Sequence, residues 1–226
     1  MNLLRRAGTV LTLIIALPSH AQKVAPLETR TAAVTWMLSS LDNFPQPLTL
    51  IGKPQVIKTP YGQALLFDGQ NDALIVNTNP LSGAGAFTLE AVFRPDAGGR
   101  AEQRWLHIQE ATGDNRVLLE TRLAGDYWFL DTFIKGGDNS HALYAENFKH
   151  RLGEWYHVAL VFDGATMRHY VDGKEELSAP LTIKPLVGGL TAIGVRLNRM
   201  FWFKGAILKA RFTTRALQPK EFMGRK

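Results

Sequence analysis

Between Leu152 and Glu176 the chain reads LGEWYHVALVFDGATMRHYVDGKEE, and its polar and apolar positions define two strands and a hairpin. Tyr156, Val158, Leu160 and Phe162 alternate with Trp155, His157, Ala159 and Val161. That is the period-two pattern of a strand, and apolar residues on both parities predict a strand covered on both faces. Asp163-Gly164 ends it, Met167 to Val171 runs back, and Asp172-Gly173 turns the chain again. Asp-Gly between apolar alternations predicts hairpin turns, because glycine accepts positive φ without a steric penalty.

The same reading predicts strands at 64–67, 73–76, 87–94, 104–109, 116–123, 127–134, 141–144, 155–162, 167–171, 191–195 and 203–213. Val34 to Leu38 is a further strand candidate, with a helix over 28–41 as its alternative. Pro45, Pro47, Pro54 and Pro60 mark a loop-rich stretch with room for two short edge strands. A helical turn is expected at 219–224. About a dozen strands separated by Gly, Asp, Asn and Pro clusters predict an all-β, two-sheet antiparallel sandwich.

Several segments also carry a family resemblance. Trp155-Tyr156-His157-Val158-Ala159, an Asp-Gly turn and then Tyr170-Val171-Asp172-Gly173 resemble the central signature of laminin-G-like, concanavalin A-like jelly-roll domains. Gly62 to Gly69 (GQALLFDG), Phe87 to Phe93 (FTLEAVF), Ala192-Ile193-Gly194, Phe203 to Ile207 and Arg215-Ala216-Leu217 resemble the family's other strands, in order. The resemblance spans 33–222 and implies a jelly-roll sandwich. It also admits a calcium ion, for which Asp68, Asn71 and Asp72 are the candidate ligands, with Asp114 and Asn115 behind them. After Gly205-Ala206-Ile207 many members carry Asp where this chain has Leu208, a departure from any inherited calcium site.

Residues 1–21 read as a secretory signal peptide: Arg5 and Arg6 precede the apolar run 7–18, and Ser19-His20-Ala21 is a small-residue cleavage site. A lead-in covers 22–32 and a single jelly-roll domain covers 33–226. The expected location is therefore secreted or periplasmic. With no cysteine, disulfide staples are excluded, and stability must come from core burial, for which 46% hydrophobic residues suffice. The net charge is +6, of which Arg5 and Arg6 supply two. The remaining +4 is modest: it suits acidic polysaccharides or anionic envelopes, and ordinary solubility is the competing and stronger reading. No like-charge run suggests nucleic acid, and no later apolar run is long enough to span a membrane.

Candidate chemistry sits in the polar strands. In the 102–110 segment, Gln103, Trp105, His107 and Gln109 share one strand parity, with Arg104, Leu106 and Ile108 on the other. Trp beside imidazole and amides suits a sugar, whose C–H faces stack on the ring while its hydroxyls bond the polar groups. The competing reading places Trp105 in the core. Arg122, Asp131, Arg196, Asn198 and Trp202 complete the candidate ligand site, and Glu120, Tyr127 and Lys135 share faces with them. A cross-strand ion-pair ladder, Glu120 with Lys135 or Asp131 with Arg122, is compatible with either reading.

A retaining glucanase of this fold needs carboxylates at alternating positions of one strand, about 5 Å apart across a glycosidic bond. No strand here has them. Arg104, His107, Arg122, Tyr127 and Lys135 supply the residue types of a polysaccharide lyase, but not its order. Six scattered histidines without cysteine give no zinc motif. The expectation is a non-catalytic carbohydrate-binding or adhesion module that binds an extracellular or envelope glycan. An envelope protein-interaction domain is the alternative, and a lyase-type enzyme the second.

Overall fold

The computed structural model describes residues 33–39, 41 and 44–225; the expected signal peptide and lead-in lie outside them. In chain order the strands are β1 (Ala33–Met37), β2 (Leu48–Ile51), β3 (Gln55–Thr59), β4 (Gly62–Asp68), β5 (Ala73–Val76), β6 (Phe87–Pro95), β7 (Glu102–Gln109) and β8 (Arg116–Ala124). They continue with β9 (Tyr127–Gly136), β10 (Asn139–Tyr144), β11 (His150–Arg151), β12 (Tyr156–Phe162), β13 (Thr166–Val171), β14 (Lys174–Pro180), β15 (Leu190–Ile193) and β16 (Lys204–Thr213). A 3₁₀ turn at Pro219–Glu221 answers the expected helical turn.

The expected all-β antiparallel sandwich is what forms. One sheet runs β14-β13-β12-β6-β16-β4-β3, with β1 also on β16; the other runs β10-β9-β8-β7-β15-β5-β2, with β11 on β9. Ala33–Met37 is thus a strand and not a helix. The strand β14 escaped the sequence reading because KEELSAP is a half-exposed edge without alternation. At the β13–β14 hairpin Asp172 and Gly173 have φ of 50° and 78°, the two left-handed residues that the Asp-Gly signal predicts.

One apolar core lies between the sheets. Phe93 of β6 stacks on Trp105 of β7 with centroids 4.4 Å apart, and Trp128 of β9 meets Phe93 edge-on at 5.1 Å. The outer faces differ. On the first sheet, residues 216–223 lie over smaller apolar clusters: Phe222 packs with Ala159, Val161 and Tyr170, and Met223 with Val92 and Trp155. Beneath this strap Glu90 is fully buried and accepts hydrogen bonds from His157 Nε2 (3.1 Å), Arg211 Nε (2.5 Å) and the Met223 N–H (2.7 Å). The second sheet's outer face holds the polar strands.

Candidate functional site

Strand register on β7, β8, β9 and β10 sets out the outer face of the second sheet as rows. Glu102 stands opposite Arg122, and Arg122 opposite Phe129. The next row is Arg104, Glu120, Asp131 and Tyr144; then come His107, Leu118, Phe133 and Ala142; then Gln109, Arg116, Lys135 and Ser140.

Arg104 and His107 share this face only because a β-bulge interrupts β7 between Arg104 and Leu106. Trp105 is the extra residue, so strict alternation fails there. Its ring turns into the core with Leu106 and is fully buried. This corrects the expectation that Gln103, Trp105, His107 and Gln109 form one solvent-facing set. Gln103 is also fully buried: its Oε1 accepts the Lys204 N–H at 2.7 Å and its amide donates to the Arg100 carbonyl at 3.0 Å. Neither residue can offer a sugar a surface.

The segment 195–202, between the strands expected at 191–195 and 203–213, is a loop that closes onto the bulge. The Arg104 N–H donates to the Phe201 carbonyl (2.9 Å), the Gly194 N–H to the Trp105 carbonyl (2.8 Å), and the Leu197 N–H to His107 Nδ1 (3.0 Å). Gly194 has φ of 89°, and a Cβ there would sit 2.5 Å from the Phe67 ring, so the loop departs from β15 at a place only glycine fills. Arg199 and Phe201 hold left-handed φ of 61° and 63°, uncommon for such side chains and costly in an unconstrained loop. Among the predicted site residues, Arg196 and Trp202 are half-buried on this loop. Asn198 is exposed, and its Oδ1 accepts the Met200 N–H at 3.2 Å within the turn.

The charged residues form a closed ladder. Arg122 donates to Asp131 and to Glu102, each at 2.7 Å, and Arg104 donates to Glu120 at 2.7 Å. Asp131 with Arg122 is one of the expected pairs. Glu120 takes Arg104 in place of Lys135, which reaches Asp114 at 2.7 Å. Glu120 and Asp131 stand side by side with little exposure. Burial, then the neighbouring Asp131 charge, pushes the Glu120 carboxyl up to about 7 although Arg104 opposes it. Burial likewise raises Asp131, against the pull of Arg122. His107 moves the other way: burial first, then the charges of Arg196, Arg116 and Arg104, hold it down at about 3, a neutral imidazole.

Above the ladder the solvent edge is arginine on aromatic. The guanidinium of Arg104 lies 3.9 Å from the Phe201 ring centroid, that of Arg116 4.7 Å from Phe133, and that of Arg122 5.2 Å from Tyr144. Tyr144 is 57% exposed. Sequence reading missed Tyr144, Phe133 and Phe201 as site residues, since only strand register and loop closure place them beside the arginines.

The calcium candidates are occupied otherwise. Asp68 Oδ1 accepts the N–H groups of Gln70 (2.8 Å), Asn71 (2.8 Å) and Asp72 (3.1 Å). Asp72 accepts the Lys53 N–H through Oδ1 (2.7 Å) and the Asp68 N–H through Oδ2 (3.3 Å). These carboxylates accept the chain's own N–H groups, as a turn does. Among the described residues no group of three or more His, Asp or Glu is placed to hold a metal ion.

Solved structures resemble this one in fold at low identity. Domain 4 of AbnA, an extracellular GH43 arabinanase from Geobacillus stearothermophilus solved with arabinotriose, aligns at TM-score 0.61 and 18% identity over 84% of this chain and 96% of that one. The binding domain of botulinum neurotoxin serotype D aligns at 0.62 and 12%, over 83% of this chain and 49% of that one. The enzymatically active domain of bacteriophage CBA120 tailspike protein 2 aligns at 0.55 and 14%, over 72% and 27%. The chain therefore spans about half of the toxin domain and about a quarter of the tailspike domain. No curated protein matches it by sequence. The family model described as the concanavalin A-like lectin/glucanases superfamily matches residues 68–222, and the chain belongs to that superfamily.

Proposed function

We propose that the protein is an exported, non-catalytic carbohydrate-binding module that holds a cell-envelope or extracellular glycan on the outer face of its second sheet. One observation carries the reading: three arginine–aromatic pairs, Arg104–Phe201, Arg116–Phe133 and Arg122–Tyr144, line the outer face of the second sheet and the loop that closes on it. Sugars stack their C–H faces on such rings while guanidinium N–H groups bond ring hydroxyls. The arabinotriose-bound relative of the same fold adds weight, as do Arg5, Arg6 and the apolar run 7–18, which suit export.

A lyase fits less well, because two of its candidate cations are already engaged, Arg104 by Glu120 and Arg122 by Asp131 and Glu102. The reading needs no calcium. An envelope protein-interaction domain remains the second reading, favoured by the closure of Glu120 and Asp131 into ion pairs that offer a ligand little. A glycan array on residues 22–226, repeated with Tyr144→Ala, separates the two. Glycan binding reduced about tenfold by the substitution is expected, the size of one lost stacking contact. Silence across the array would transfer the case to the interaction domain.

A further inference from the structure

Donors and acceptors do not balance at one end of the proposed face. The Leu197 N–H donates to His107 Nδ1 at 3.0 Å, so that nitrogen is the acceptor and Nε2 carries the proton. His107 Nε2 is buried and has no hydrogen-bond partner among the described residues. Such a donor costs stability unless something supplies an acceptor. Its neighbours supply the opposite. Arg104 and Arg116 stand in the rows on either side of His107, Arg196 adjoins the Leu197 that bonds it, and all three charges bear on the imidazole.

Of the three, Arg104 is fully engaged by Glu120 at 2.7 Å. Arg116 meets the Asp114 carboxylate only at 3.5 Å and its carbonyl at 2.7 Å. The Arg196 guanidinium has no hydrogen bond or ion pair among the described residues, although it is half-buried on the strained loop. The nearby carboxylates are already spent: Glu120 on Arg104, and Asp114 on Lys135 at 2.7 Å.

We propose that Arg196 and Arg116, with the His107 Nε2–H beneath them, form a subsite for the anionic group of an acidic sugar residue, a carboxylate or a sulfate ester. The subsite rests on the glycan-binding reading and gives it a substrate class. Guanidinium forks suit both oxyanions, because parallel N–H donors match paired oxygens. The strain at Arg199 and Phe201 has a use on this view. It presents Arg196 toward Arg116 against their mutual repulsion, a cost that an arriving anion relieves.

An array carrying uronate, sulfated and neutral glycans tests the subsite and separates its two anions. The strongest signals should fall on one or both acidic classes, and Arg196→Gln should weaken them about tenfold while sparing any neutral signal. Arg196 is half-buried on a loop, so the variant should fold, and its circular dichroism spectrum would establish that. Binding confined to neutral glycans, or acidic binding untouched by Arg196→Gln, would overturn the subsite and leave the binding module standing. If no glycan binds, the functional reading falls and inorganic sulfate decides the subsite. Saturable movement of the His107 Nε2 resonance, lost in Arg196→Gln, supports it; a resonance indifferent to sulfate refutes it.

Discussion

Trp105 takes the core place that the competing reading gives it, and Tyr144 is the exposed ring beside the arginines. Trp105 belongs to the core, stacked on Phe93, so Trp105→Ala should cost about 3–5 kcal/mol of stability by urea denaturation. Its glycan affinity, measured on the folded fraction, should stay within about twofold of wild type. A large affinity loss without loss of stability would return the ring to the site. Two histidines make a second residue-scale prediction. His107 faces Arg104, Arg116 and Arg196, while His169 faces His150, Glu176 and Thr132 Oγ1; burial above all holds both at about 3. An unfolded imidazole protonates near 6.5, so below that pH the unfolded chain takes up protons that the folded one refuses. Stability contributed by each therefore declines by roughly 1.4 kcal/mol per pH unit as the solution is acidified from 6.5 toward 3. In NMR spectra both rings should stay neutral at pH 4.5, and a titration midpoint near 6.5 for either would contradict its burial.

At the scale of elements, β7, β8 and β9 show what sequence can and cannot convey. Period-two alternation marks β8 and β9 correctly, and it places Arg122 beside Asp131. The bulge in β7 is invisible to it, because GluGlnArgTrpLeuHisIleGln alternates acceptably in either register and no glycine or proline marks the break. What fixes the bulge is distant in sequence: the Phe201 carbonyl takes the Arg104 N–H, and the Trp105 carbonyl takes that of Gly194. The adjacent large residues Trp105 and Leu106 were the one local hint, since both demand burial. The ladder that results carries its own prediction. Glu120 has its carboxyl raised to about 7 in the fold, above its unfolded value, so the folded state holds the extra proton between about 4.5 and 7. Stability from this group is present below that window and is lost as pH rises through it, by roughly 1.4 kcal/mol per unit. Glu120→Gln keeps an acceptor for Arg104 and removes the titration. Its stability relative to wild type should therefore improve from pH 5 to pH 8 by urea denaturation. Parallel curves for the two proteins would show that Glu120 titrates normally.

At the scale of the whole molecule, the two sheets share one core but finish their outer faces in different ways. The first is roofed by the 216–223 strap, whose expected helical turn was legible and whose landing place was not. Nothing local in Phe222 or Met223 says that they cover His157, Tyr170 and Trp155. The second face is left open beyond β8 and β9, and this asymmetry is why the proposed ligand is placed there. It also makes stability and binding separable. Removing residues 218–226 withdraws the Met223 N–H from Glu90 and the Glu221 carbonyl from Arg211, and it exposes His157. Glu90, held below the usual carboxylate range because bonds from His157, Arg211 and Met223 outweigh its burial, would keep only the first two. The loss should amount to about 2–4 kcal/mol, from two charge-assisted hydrogen bonds and the apolar cover of one aromatic ring, less what water regains at the uncovered groups. Glycan binding by the folded truncated protein should be unchanged, because the strap and the arginine–aromatic face lie on different sheets. A truncation that abolished binding while the chain stayed folded would move the site to the roofed face, and with it the reading of which sheet this protein turns toward its ligand.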